Sequence, residues 1–240
     1  MPSTPRVDWK RVERDHAAGH LGDAEALALA RYRCDIDGTF WLGHVLTRDE
    51  ADPHHSVKPF PTELEYLVQL WGLFSERNLV VIAKSRQMLV SWVVAAYCVW
   101  TARSKPHQAV YWQAQKAEDA VSMVCAPDGA AQARCQFIEA HLPEWLRQDV
   151  RPVQGVLQYP NGSFIQALAG GADKIRGKTA SLVVLDEFAH MAEQKEIYMG
   201  VAPLIQKGAK AIIVSTPNGS NNYFSTLYHG RDMSEASPVG

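Results

Sequence analysis

The chain has 240 residues, 47% hydrophobic and 21% charged, which excludes a disordered or fibrous protein and suits one large domain with a small appendage. A formal net charge of −2 excludes a globally basic protein, so any nucleic-acid contact must come from a local basic patch or from assembled copies. Cys34, Cys98, Cys125 and Cys135 show no CxxC pairing, the terminus MPSTPRVDWKRVERD lacks a signal-peptide core, and the longest apolar run, Leu89 to Ala102, is too short to span a bilayer; a soluble intracellular protein with reduced thiols and no membrane partner is expected.

Taken in chain order, residues 1 to about 50 are polar and alanine-rich, with a helix expected over Ala24 to Tyr32 and a turn over Asp35 to Gly38. The stretch from Arg48 to Pro61 is rich in Asp, His and Pro and reads as loop, with His54 and His55 as surface histidines. From Thr62, a candidate cap, an amphipathic helix carries Leu64, Leu67, Leu70, Trp71 and Phe74 at helical spacing. Leu79 to Ala83 is a continuous apolar run of the kind that fills a central parallel strand. A polar loop follows, and a buried helix begins near Leu89. A strand is expected over Gln108 to Trp112, and helices over Lys116 to Val124 and Arg134 to Leu146. Val156 to Tyr159 and Ser163 to Leu168 flank Pro160-Asn161-Gly162, a hairpin signal. Gly170 to Lys178 is a glycine-rich basic loop. Leu182 to Leu185 and Ala211 to Val214 are further buried strands with a helix between them. Residues 1–58 thus read as an appendage packed on the core, 59–230 as an α/β domain and 231–240 as a tail or linker.

Several strands end in polar or charged residues. Open α/β sheets bind ligands at that edge, so one site assembled from sequence-distant loops is expected. The segment Lys84-Ser85-Arg86-Gln87-Met88-Leu89-Val90-Ser91, followed by Trp92, sits between a buried strand and a buried helix, where a phosphate-binding loop belongs. Against the standard GxxxxGK[ST] pattern only Ser91 matches in type, as the hydroxyl that would hold Mg²⁺. Leu89 stands in place of the second glycine and Val90 in place of the lysine. A lysine at the front of the loop, Lys84, can fold back over the phosphates and supply that charge. The alternative is an ordinary surface loop with solvated cations.

The strand ending in Asp186-Glu187 offers two carboxylates from one turn. Nucleotide hydrolysis needs one acid on the metal side, assigned to Asp186, and one to polarise the attacking water, assigned to Glu187. Ser215 and Thr216, at the tip of the later strand, supply small hydroxyls able to sense the terminal phosphate. Each motif also fits a plain solvated turn; their order along the chain joins them into one reading.

With these motifs in place, the chain resembles the terminase large subunits of tailed phages over roughly Pro59 to Tyr228. Many members carry a K-x-R-Q-x-G-x-S loop, which Lys84 to Ser91 matches except at Leu89. The segment through Asp186-Glu187-Phe188-Ala189 is similar to the family's Walker B, and Ser215-Thr216-Pro217-Asn218-Gly219 to its coupling motif. The resemblance implies an α/β P-loop NTPase of the ASCE type, with a mainly parallel central sheet flanked by helices. It implies ATP and Mg²⁺ as cofactors, and double-stranded DNA, a homo-oligomeric ring on a portal and a terminase small subunit as partners in the host cytoplasm. It also implies a transition-state cation at Arg176, acting in cis or from a neighbouring subunit, and adenine recognition near Phe60, Pro61 and Gln69. Too few residues follow Ser220 for the acidic nuclease cluster of the family, so nuclease activity is not expected. Two other readings stand beside the motor domain: a superfamily 2-like DNA-dependent ATPase, and a nucleotide-binding interaction module with a weakened site.

Overall fold

The computed structural model describes residues 8–18, 22–48, 57–85, 88–126 and 133–230. Helices α1 (Trp9–Ala17), α2 (Asp23–Ile36) and α3 (Gly38–Leu42) precede a two-stranded ladder, β1 (Leu46–Arg48) and β2 (Val57–Pro59). Then come α4 (Glu65–Glu76), β3 (Leu79–Ala83), α5 (Val90–Ser104), β4 (Ala109–Gln113), α6 (Ala117–Val124) and α7 (Arg134–His141). Short strands β5 (Arg151–Val153) and β6 (Val156–Gln158) lead into β7 (Phe164–Leu168) and β8 (Leu182–Asp186). The described chain closes with α8 (Gln194–Gln206), β9 (Lys210–Ser215) and α9 (Tyr223–Tyr228).

The main sheet has the order β3-β9-β8-β4-β7-β6-β5. Its first five strands are parallel, and β6 and β5 are antiparallel additions at one edge. Residues 182–186 are buried throughout, which explains the unbroken apolar run: a strand covered on both faces has no solvent side to mark. Alternate residues divide between the two faces. Val184, Ile212 and Val214 join Trp92, Trp112 and Ile138 under α5 and α7. Val183, Leu185, Ala211 and Ile213 join Ile197, Val201 and Phe224 under α8 and α9.

The amino-terminal helices share the first of these cores through Cys34, Trp41 and Leu42. Trp41 packs 6.0 Å from Trp71, which stands 5.2 Å from Tyr97. Gly38 makes this approach feasible, since a Cβ there would lie 2.5 Å from the Trp71 ring.

Several expectations are corrected. Helix α2 runs on to Ile36, and the Asp35–Gly38 turn is a helix junction in which the Asp37 carboxylate accepts from the amides of Thr39 and Phe40. The ends of the Arg48–Pro61 loop are strands, paired as Arg48 with Val57 and Leu46 with Pro59. Thr62 does not cap α4, which begins at Glu65 after Leu64 without a side-chain cap. The Arg134–Leu146 helix stops at His141; Pro143, which cannot donate a helical hydrogen bond, opens a single 3₁₀ turn over Glu144–Leu146. The hairpin at Asn161-Gly162 forms as expected, with Gln158 opposite Phe164 and Gly162 at φ +82°. The 231–240 segment and His54 and His55 lie outside the described residues.

Candidate functional site

Strand order decides what meets at the carboxyl edge. Strand β9 lies between β3 and β8, with Ala83 opposite Ser215 and Asp186 opposite Val214. The backbone N–H of Lys84 donates to the Ser215 carbonyl at 3.0 Å, carrying the pairing one residue past β3. Residues 84, 187 and 216, far apart in sequence, therefore leave three neighbouring strands side by side.

Their side chains close into one network. Lys84 Nζ donates to Glu187 Oε1 at 2.8 Å, with the lysine side chain 11% exposed and the glutamate 39%. Glu187 Oε2 accepts from both the backbone N–H and the hydroxyl of Thr216, each at 3.0 Å. Half-burial pushes the Glu187 carboxyl up, but the donors from Lys84 and Thr216 outweigh it and hold the group below its ordinary value. Glu187 itself sits in the left-handed region at φ +50°, so its side chain turns back from the strand toward β9.

Asp186 behaves in the opposite sense. It is 5% exposed, accepts the Glu187 amide at 3.0 Å and faces the Trp112 indole N–H at 3.3 Å. Burial pushes its carboxyl up, and the Lys84 charge offsets this only in part. Ser215 is fully buried, accepts the Ala189 amide and donates to the Thr216 carbonyl, so its hydroxyl braces the turn after Glu187.

The phosphate-loop segment leads into α5. Leu89 takes φ +52° and ψ 9°, the left-handed conformation at the N-cap, and its carbonyl accepts from Trp92 and Val93. That is the position where a glycine is expected. Tyr66 pins the loop by donating to the Met88 carbonyl at 2.9 Å. Lys84, Ser85, Met88, Leu89, Val90, Ser91 and Trp92 line one side of a cleft of about 920 Å³. Arg86 and Gln87 lie outside the described residues.

Phe60 and Pro61 line the same cleft, whereas Gln69 is exposed on α4 and does not. Arg176 is not brought to the network: its side chain is 54% exposed and pairs with Asp173 at 3.5 Å. The cleft also holds residues that no motif marks in advance. Arg48 and Lys58 come from the β1–β2 ladder, and Arg134 starts α7 with its guanidinium 5.5 Å from the Trp92 ring. Beside the network, His190 is another, at 3.0 Å from the Thr216 hydroxyl.

No cluster of three or more His, Cys, Asp or Glu side chains able to hold a metal exists among the described residues. An ion held by one carboxylate, a hydroxyl and substrate phosphates, the usual arrangement for Mg²⁺ at nucleotide sites, needs no such cluster. No helix among the described residues is long and apolar enough to cross a membrane.

The profile of the family described as terminase large subunit, T4likevirus-type, N-terminal, matches residues 81–236. The probable terminase large subunit gp28 of Escherichia phage Mu is 30% identical over 159 residues, 62% of this chain and 28% of that protein. Among solved structures, the HK97 bacteriophage large terminase matches with a TM-score of 0.58 at 12% identity, over 84% of this chain and 42% of that one. The large terminase of a thermophilic bacteriophage, in complex with ADP, matches with a TM-score of 0.52 at 14% identity, over 68% of this chain and 40% of that one. At such identities the two structures speak for the fold alone, a mainly parallel central sheet flanked by helices as in these large terminases. The chain spans less than half the length of each of these relatives.

Proposed function

Because the chain belongs to the terminase large-subunit family, we propose that it is an ATP-hydrolysing motor domain that couples hydrolysis to the translocation of double-stranded DNA into a procapsid. The observation that carries this reading is the convergence of Lys84, Glu187 and Thr216 at one sheet edge, beside the amino end of α5.

ATP occupies the cleft with its phosphates over the loop from Lys84 to Ser91. The first turn of α5 has amide groups without helical partners, and these favour an anion. Lys84 then exchanges its carboxylate for phosphate oxygens. Glu187 Oε1, freed from the lysine, takes the proton of the attacking water, while Thr216 keeps Oε2 fixed. While Lys84 is paired with it, Glu187 is held ionised below its ordinary value, and the departure of Lys84 removes the largest of the influences that lower it and so raises its affinity for the proton. Asp186 and Ser91 would hold Mg²⁺, which would supply positive charge to neutralise the phosphate oxygens. The fit rests on the donor chemistry of Asp186, a carboxylate 5% exposed at the end of β8 whose oxygens accept from the Glu187 amide and the Trp112 indole N–H and keep further lone pairs for a cation.

Phe60 and Pro61 form the wall for the adenine. Arg176, exposed on the loop before β8, acts on the phosphates of a neighbouring copy within a homo-oligomeric ring on a portal. Residues 59–230 form the ATPase unit, and the described part of 1–58 braces it. Double-stranded DNA and a terminase small subunit are the partners, and the host cytoplasm is the compartment. The test is ATP turnover with Mg²⁺ by the parent, Glu187→Ala and Lys84→Ala. Loss in both variants supports the assignment, and unchanged turnover in both refutes it.

A further inference from the structure

His190 is exposed, yet its imidazole is built into the acid turn. Its Nε2 lies 3.0 Å from the Thr216 hydroxyl, and the same hydroxyl lies 3.0 Å from Glu187 Oε2. A threonine hydroxyl has one proton. An ionised carboxylate only accepts, so that proton goes to Glu187, and Thr216 can only accept from the histidine. The imidazole therefore carries a proton on Nε2. The chain of donors runs one way, from His190 to Thr216 to Glu187.

The backbone closes this chain into a ring. The His190 amide donates to the Glu187 carbonyl at 2.9 Å, across the 3₁₀ turn Phe188–His190. Glu187 is left-handed at φ +50°, a conformation that is strained for a non-glycine residue and persists only where its surroundings fix it. Ser215 braces the turn from below through the Ala189 amide. His190 braces it from outside. We propose that His190 is a positioning residue for Glu187, acting through Thr216 to fix the carboxylate for proton abstraction. This rests on the ATPase reading given above.

The role matters most when nucleotide is bound. Lys84 then leaves Oε1, and the only side-chain donor left among the described contacts of Glu187 is the Thr216 hydroxyl. Without His190 that hydroxyl is free to rotate, and the base loses its fixed direction. Binding of ATP, which uses Lys84 and the α5 amides, is not touched.

The experiment is steady-state turnover of Mg–ATP by the full chain as wild type, Glu187→Ala, His190→Ala and His190→Gln, with thermal unfolding of each. His190→Ala should lower kcat about tenfold and change KM less than about twofold, as expected for a misdirected catalytic group. His190→Gln places an amide N–H at similar reach and should keep at least about half of the wild-type kcat. A His190→Ala kcat within twofold of wild type, a loss confined to KM, or a glutamine no better than alanine would each overturn the proposal. A wild type no faster than Glu187→Ala would overturn the ATPase reading, and this proposal with it. Loss in Glu187→Ala without loss in His190→Ala overturns this proposal alone.

Discussion

Lys84 and Glu187 hold each other across 2.8 Å, so the cation suited to phosphate and the carboxylate suited to water are paired with one another. Nucleotide must separate them before either can act. Removing the carboxylate charge therefore has opposite effects on binding and on chemistry. Glu187→Gln should bind ATP at least as tightly as the parent, because Lys84 no longer has a carboxylate to leave. Its turnover should fall by about 10²–10⁴, the range for loss of a general base. Equilibrium binding of ATP beside turnover measures both; weaker binding in Glu187→Gln would contradict the competition.

Leu89 tests the phosphate loop. It is left-handed at φ +52°, and its side chain packs partly against the core. Alanine there would lose the packing and keep the strain. Glycine would lose the packing and relieve the strain. Leu89→Gly should therefore be more stable than Leu89→Ala by about 1 kcal/mol, measured by thermal or urea unfolding. The glycine variant should also bind ATP no more weakly than the parent, since the backbone amides keep their place.

The contrast between what could be read in advance and what could not follows from strand order. Strands β8 and β9 announce themselves as short apolar runs because both of their faces are covered, and β3, at the sheet edge, does so with one face buried and the other partly buried. Lys84, Asp186, Glu187, Ser215 and Thr216 announce themselves as the polar residues that end those runs. Nothing local says that β9 inserts between β3 and β8, and the Lys84–Glu187 and His190–Thr216 contacts depend on it. Arg134 reaches the cleft only because α7 packs on α5. Gln69 shares α4 with buried Leu67, Trp71 and Phe74 and lies on the opposite face, exposed and outside the cleft lining. Strand β5 is only three residues, Arg-Pro-Val, too short to carry a strand pattern, and its proline is tolerated because the strand is at the sheet edge.

Glu187 also contributes to stability in a pH-dependent way. Its folded-state value lies below the ordinary one, so its stabilisation is present above the ordinary carboxylate value and is lost as pH falls through the folded value. Glu187→Gln lacks this contribution at every pH. In nucleotide-free protein the parent should melt above the variant at pH ~7, and the gap should close as pH is lowered toward ~3. A gap that widens on acidification would mean that the Lys84 and Thr216 donors do not favour the charged form.

Arg103 and Glu139 form a second charge pair, buried where α5 ends against α7, with 3.6 Å between Nη1 and Oε1 and side chains 3% and 1% exposed. Burial pushes the Glu139 carboxyl up, and the Arg103 charge opposes this. Arg103 also donates to the Leu146 carbonyl, and its guanidinium stands 5.8 Å from the Trp41 ring. Truncating one partner leaves the other buried without its counter-charge, so Glu139→Ala should cost about 3–5 kcal/mol in urea unfolding. Replacing both, as Arg103→Met with Glu139→Leu, removes the charges together and should restore much of that loss. If the double variant is as unstable as the sum of the singles, the pair is not a coupled unit, and the junction of α5 with α7 must be held by its apolar contacts alone.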